Sequence, residues 1–291
     1  MPTFGSLFAG IGGIDLGLER AGWTGRWQVE WDDYCQRVLA KHWPDIPRYG
    51  DITTVDWSGV EPVDLIAGGF PCQPFSVAGR RKGLDDDRWL WPEFARAVGA
   101  LQPSFVLVEN VPGLLVGGGM GGVLGGLADL GYDAEWDSIP AAAVGAPHLR
   151  YRVWIVAYRA ELGRAVADAD LWRSFDALRA GWDAARDGGA DVADADDAGP
   201  QGRVLGGVAS DQAPNALARR GETPGSDADS ARRTGQRLPR STANADQWDV
   251  EPDVGRVAHG VPARVDRLRA LGNAVVPQVV EVIGRRLLEI I

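Results

Sequence analysis

From residue 3 to residue 158, short apolar runs alternate with segments of helical periodicity, and this alternation restricts the fold more than any other feature of the chain. The runs "TFGSLFAG", "RWQVEW", "VDLIAGGF" and "SFVLVENV" read as strands, and "GGIDLGLERAGW", "DDYCQRVLAKHW", "WLWPEFARAVGAL" and a Gly-rich stretch read as the helices that follow them. Two further strand-like runs, "YDAEWDSI" and "RVWIVAYR", come next. Strand and helix at this spacing predict parallel βαβ units in a doubly wound α/β sheet. Ligands of such sheets bind outside the carboxyl ends of the strands, where the strand order reverses. The chemistry is therefore expected in the loops that leave the strands.

The first of these loops is "FAGIGG", residues 8 to 13. Glycines there let a ligand approach the backbone at a helix N-terminus, and Glu30, at the end of the next strand in "VEWDDY", is placed to accept hydrogen bonds from ribose hydroxyls. The pair predicts a nucleoside-containing cofactor. Asp15 stands where the dinucleotide fingerprint GxGxxG has its last glycine, which disfavours a dinucleotide and leaves adenosine binding open. A purely structural Gly turn is the competing reading of the loop alone.

The next apolar strand leads into "GGFPCQPFS", residues 68 to 76, where Cys72 sits between Pro71 and Pro74. A thiol acts as a nucleophile only as thiolate, and nearby cations such as Arg80, Arg81 and Lys82 favour that form. The other cysteine, Cys35, lies in a helical pattern and reads as a small buried hydrophobe. The strand after Cys72 ends in "VENVPG", which brings Glu109 and Asn110 to the same sheet edge. A carboxyl partly withdrawn from water there has a raised pKa and can donate a proton near neutrality.

Composition sets outer limits. The 31.1 kDa chain is 45% hydrophobic, enough for a sizeable core. No apolar run approaches a membrane span, and the N-terminus lacks the basic start of a secretory signal, so the expected location is the cytoplasm. Two cysteines and three histidines without ligand spacing predict neither a disulfide framework nor a metal site. The net charge of -10 is unevenly spread, since residues 160 to 255 hold 18 acidic and 11 basic side chains. Basic clusters lie elsewhere, in "GRRKG", "HLRYR" and "ARVDRLR", so a local cationic groove is compatible with an acidic whole.

After Arg159 long apolar runs disappear and short acidic phrases recur: "ADADLW", "ADADDAG", "SDADSAR" and "ANADQW". This predicts an inserted, loop-rich module with Trp172, Trp182 and Trp248 packing at its edges, against the alternative of a disordered acidic linker over residues 185 to 245. The chain closes with a helix begun by Pro277, whose Val280, Ile283, Leu287 and Ile291 fall on one face and are expected to dock on the first domain.

"FGSLFAGIGGIDLGLERAGW", "VEWDDY", "GDIT", "GGFPCQPFS", "VENVPGL", "PHLRYRVWIV" and "LGNAVVPQV" occur in the order of the motifs of DNA (cytosine-5)-methyltransferases. The chain resembles that family, in its bacterial or phage form, over residues 4 to 158 and 267 to 287. The resemblance implies a Rossmann-like, S-adenosylmethionine-dependent methyltransferase sheet over residues 1–159, an inserted target-recognition region over 160–260, and a segment over 261–291 that returns to the catalytic domain. It implies a monomer acting on double-stranded DNA, either beside a separately acting restriction endonuclease or alone as a bacterial or phage modification enzyme.

By the same resemblance Cys72 attacks C6 of a flipped cytosine, Glu109 holds N4 and protonates N3, Arg152 contacts the O2 side and Arg150 supports the site. Phe8, Gly10 and Gly12 line the cofactor pocket, Glu30 binds its ribose, Trp31 stacks near adenine, and Asp51, followed by Ile52, takes the adenine amino group. Pro71, Leu90 and Asn273 complete the pocket. Residues 77 to 88 resemble the loop that closes over DNA, with Ser76, Arg80, Arg81 and Lys82 as phosphate contacts. Two departures stand out: His148 replaces the family's glutamine, and no Arg-Leu-Gln-Gly-Phe-Pro-like block precedes residue 267. The alternatives are a tRNA cytosine-5 methyltransferase, which the long insert disfavours, a non-catalytic DNA-binding protein on the same fold, and a nicotinamide-dependent oxidoreductase, which leaves Cys72 and Glu109 unexplained.

Overall fold

All six apolar runs become strands in the computed structural model, which describes residues 1–71, 89–116, 118–146, 148–172 and 264–291. They are β1 (Thr3–Leu7), β2 (Thr24–Val29), β4 (Leu65–Gly68), β5 (Phe105–Asn110), β6 (Tyr132–Pro140) and β7 (Tyr151–Arg159), with a further strand β3 of two residues (Arg48–Tyr49). The helices are α1 (Gly13–Ala21), α2 (Asp33–His42), α3 (Trp91–Leu101), α4 (Gly113–Val116), α5 (Gly119–Asp129), α6 (Gly163–Ala169), α7 (Arg264–Asn273) and α8 (Pro277–Leu288). No helix among the described residues is long and apolar enough to cross a membrane.

The strands form one sheet in the order β3-β2-β1-β4-β5-β7-β6. The order reverses between β1 and β4, so the Rossmann-like α/β arrangement is present with its switch point at the ends of those two strands. The five strands from β3 to β5 are parallel, but β7 runs antiparallel to both β5 and β6. The parallel βαβ units thus run from β3 to β5, and the two later strand-like runs add an antiparallel pair. Only a 3-10 turn (Ala141–Val144) and a short loop join β6 to β7, and without a crossover helix the chain has to turn back on itself.

Alternation along the strands sends side chains to two faces. Ile66, Val106, Val108 and Ile155 pack under α3 and α5, while Leu65, Ala67, Phe105, Leu107 and Val156 pack under α1 and α8. The second layer also takes in Val166, Leu171 and Trp172, so the core continues past residue 159. Trp182 and Trp248 lie outside the described residues.

Helix α8 docks on α1 through buried Val280, Ile283 and Leu287, as its periodicity predicts. Ile291, expected on the same face, is 65% exposed, because α8 ends at Leu288 and the last residues leave its axis. The two helices approach so closely that a Cβ on Gly17 would lie 2.5 Å from the Pro277 carbonyl oxygen.

Candidate active site

The loop after β1 turns on Phe8, Gly10 and Gly12, all with positive φ (53°, 57° and 84°). For Phe8 that is a strained backbone, held by the Ala9 N–H bond to the Val29 carbonyl and by the half-buried ring. Glu30 fastens the loop to β2: Oε2 accepts from the Gly10 N–H at 2.7 Å and Oε1 from the Asp32 N–H at 2.8 Å. Each carboxylate oxygen has a second lone pair, so hydroxyl donors can still be accepted. A Cβ on Gly10 would meet nothing within 4 Å, so open space lies over this turn. Trp31, at the same sheet edge, is 74% exposed. A glycine turn, a carboxylate with acceptor capacity and an uncovered indole at a switch point suit a nucleoside.

Asp51 caps the 3-10 turn Ile52–Thr54, its Oδ1 accepting from the Thr53 N–H and hydroxyl, and these bonds hold its carboxyl below the usual aspartate range. Ile52 is buried beneath it. The turn is gripped from α3 by Arg96, whose guanidinium donates to the Ile52 carbonyl at 2.6 Å and to the Val55 carbonyl at 3.0 Å. Leu90 is half-buried at the N-cap of α3, and Pro71 is exposed just beyond β4.

Residue parity explains the second half of the site. Glu109 lies opposite Trp154 in the β5–β7 pairing, so Arg152, two residues along, is its diagonal neighbour on the same face. Arg152 Nε stands 3.1 Å from Glu109 Oε1, with both side chains largely buried. Burial pushes the Glu109 carboxyl above the usual glutamate range, and the charges of Arg152 and Arg150 pull it back. A Cβ on Gly69 would lie 2.5 Å from Glu109 Oε2, so only glycine leaves room for the acid there.

Asn110 points to the other face and donates from Nδ2 to the Phe70 carbonyl at 3.1 Å. Phe70 in turn packs edge-on against Trp89 with ring centroids 5.1 Å apart, which pins together the two ends of the segment 72–88. Cys72, Ser76, Arg80, Arg81 and Lys82 belong to that segment and lie outside the described residues. Arg150 takes a positive φ of 41°, and its Nη2 donates to the carbonyls of Gly272 and Ala274 on either side of Asn273, itself exposed at the end of α7. His148 is exposed; partial burial and the charges of Arg150 and Arg152 lower its pKa.

Three features of this region went unread in the sequence. Asp15, noted only as a departure from a fingerprint, is buried under the Gly-rich turn, where Oδ1 accepts from Ser6 Oγ at 2.8 Å and Gln28 Nε2 at 2.9 Å. Burial pushes its carboxyl up to about 6 against those two bonds. The grip of Arg96 on the Ile52 and Val55 carbonyls carries no local signal, because they lie 44 and 41 residues away, while its local partner is Glu93 at 2.7 Å. The ion pair of Arg269 with Asp32, at 3.2 Å, is equally non-local. Cys35, read as a small hydrophobe, is buried, with its thiol pushed up to about 12 by that burial.

The sequence has clear relatives. Type II methyltransferase M.NgoBI of Neisseria gonorrhoeae is 38% identical over 156 residues, covering 52% of this chain and 49% of that protein. Type II methyltransferase M.Eco47II of Escherichia coli is 40% identical over 167 residues, covering 55% and 40%. The chain thus spans about half the length of the curated relatives it matches. Among solved structures, a prophage-encoded E. coli protein described as a DNA modification methyltransferase superposes with a TM-score of 0.49 at 30% identity, over 56% of this chain and 48% of that one. The family described as C-5 cytosine-specific DNA methylase matches residues 2–176. That match covers more than half of the sequence and every strand of the sheet, and the chain belongs to the C-5 cytosine-specific DNA methylases.

Proposed function

We propose that the protein transfers a methyl group to C5 of a cytosine flipped out of double-stranded DNA. The observation that carries this reading is the Glu109–Arg152 pair, a carboxyl with raised pKa at the sheet edge, two strands from a nucleoside-suited turn. Cytosine C5 is a poor nucleophile, and the residues of this chain supply what it lacks. The Cys72 thiolate adds to C6 while Glu109, whose proton affinity is raised by burial, gives a proton to N3, so the ring electrons collect at C5 as an enamine. Arg152 holds the carboxylate that remains and faces the O2 side of the base. Once C5 is methylated, its proton passes to water, which restores the 5,6-double bond and expels the Cys72 thiolate, and N3 returns its proton to Glu109.

The group supplying the methyl is S-adenosylmethionine. Glu30 holds its ribose, Trp31 and Ile52 flank its adenine, and Asp51 accepts from the amino group. Phe8, Gly10, Gly12, Pro71, Leu90 and Asn273 shape the remainder. Ser76, Arg80, Arg81 and Lys82 meet DNA phosphates, and the region 160–260 reads the target. The activity is one that protects DNA beside a separately acting restriction endonuclease, and the protein works as a monomer in the cytoplasm.

Expression in a host without DNA methylation, followed by conversion sequencing for 5-methylcytosine, tests the reading. Modification at one short motif is expected, with none in a Cys72→Ser control that still binds cofactor. Modified tRNA with unmodified DNA would overturn the choice of substrate, and methylation by Cys72→Ser at near-normal rate would overturn the mechanism.

A further inference from the structure

The two arginines of "HLRYR" do different work. Arg152 pairs with Glu109. Arg150 turns its guanidinium to main chain 122 and 124 residues away, with Nη2 donating to Gly272 O at 2.7 Å and Ala274 O at 2.6 Å. The last carbonyls of a helix have no intrahelical partner, and a cation is favoured there by the helix dipole as well as by hydrogen bonding. Arg150 therefore caps α7, and the positive φ of its backbone aims it there. One turn earlier, Arg269 of α7 reaches Asp32, which caps α2 beside Glu30 and Trp31. Helix α7 is thus fastened at one point to the nucleoside end of the sheet edge and at another to the strand that bears Arg152.

We propose that Arg150 is a positioning residue: by gripping the carbonyls on both sides of Asn273 it seats that residue at the cofactor site and ties the returning C-terminal segment to the active-site strand. The role assigned to Asn273 rests on the function proposed above; the grip itself does not. Arg150 acts on cofactor binding through Asn273, and Arg152 acts on the base through Glu109.

Two measurements on the ligand-free protein and its titration separate these roles. Calorimetric titration with S-adenosylmethionine should give Arg150→Ala a Kd raised roughly tenfold or more, the size expected for lost charge-assisted bonds. Amide hydrogen exchange without ligand should quicken at residues 274 to 276 in the same variant. Arg150→Lys, which restores one donor, should fall between it and wild type in both. Arg152→Ala should lose methyl transfer with Kd within about twofold of wild type and unchanged exchange at 274 to 276. Unchanged Kd and unchanged exchange in a folded Arg150→Ala protein that no longer methylates would overturn the proposal and move Arg150 to the base. If wild type fails to bind S-adenosylmethionine, the function proposed above falls, and the exchange data still decide whether Arg150 holds the segment.

Discussion

Asp15 carries an electrostatic cost that the fold tolerates beneath its Gly-rich turn. Its Oδ2 and the Oε1 of Gln28 have no hydrogen-bond partner among the described residues, and its carboxyl is pushed from 3.8 to about 6 by burial. An acid whose folded-state pKa is raised binds its proton more tightly when folded, so the stability present below about pH 4 is lost as pH rises through about 6. A shift of that size is on the order of 3 kcal/mol at pH 8. The isosteric, uncharged Asp15→Asn should therefore be more stable than wild type at pH 8 in urea denaturation. The margin should shrink by roughly half at pH 5, because the native carboxyl is by then mostly protonated. A margin that does not change with pH would place the cost of Asp15 in packing.

Among the elements, α1 and α5 let one substitution have opposite signs. Gly17 lies in α1 where a Cβ would be 2.5 Å from both the Pro277 oxygen and the Val280 Cβ, whereas a Cβ on Gly125 in α5 would meet nothing within 4 Å. Alanine is the better helix former by about 1 kcal/mol, so Gly125→Ala should stabilise by up to that amount. Gly17→Ala should instead destabilise by about 1–3 kcal/mol, since α8 has to move off α1 to admit the methyl group. Urea midpoints of the two variants check both signs. The same contrast marks what could be read from the sequence. The strands and the docking face of α8 were legible because they repeat with periods of two and 3.6, and Glu109 was placed correctly because strand ends follow from strand runs. The reversal of β7, the two-residue β3 and the grips of Arg96 and Arg150 were not, because each depends on where the chain goes between distant residues.

At the scale of the whole molecule, the net charge of -10 bears on the proposed use of DNA as substrate. Residues 185 to 245 contain nine acidic and eight basic side chains, so removing them changes the net charge by one unit. Sequence-independent affinity for duplex DNA follows the phosphates neutralised and falls steeply with salt, so the deletion offers a nearly charge-neutral way to test target recognition. It leaves every described residue in place, since the described core runs to Trp172 and resumes at Arg264. Binding of S-adenosylmethionine by the deleted protein should stay within about twofold of wild type, because Glu30, Asp51 and the Arg150 grip are untouched. Methylation should lose its preference for one motif, with a salt dependence of DNA binding close to that of wild type. Unchanged selectivity would make residues 185 to 245 a spacer and leave base readout to residues 160 to 184 and 246 to 260. Lost cofactor binding would show that these residues also brace the sheet edge, beyond the grip of α7 by Arg150 and Asp32.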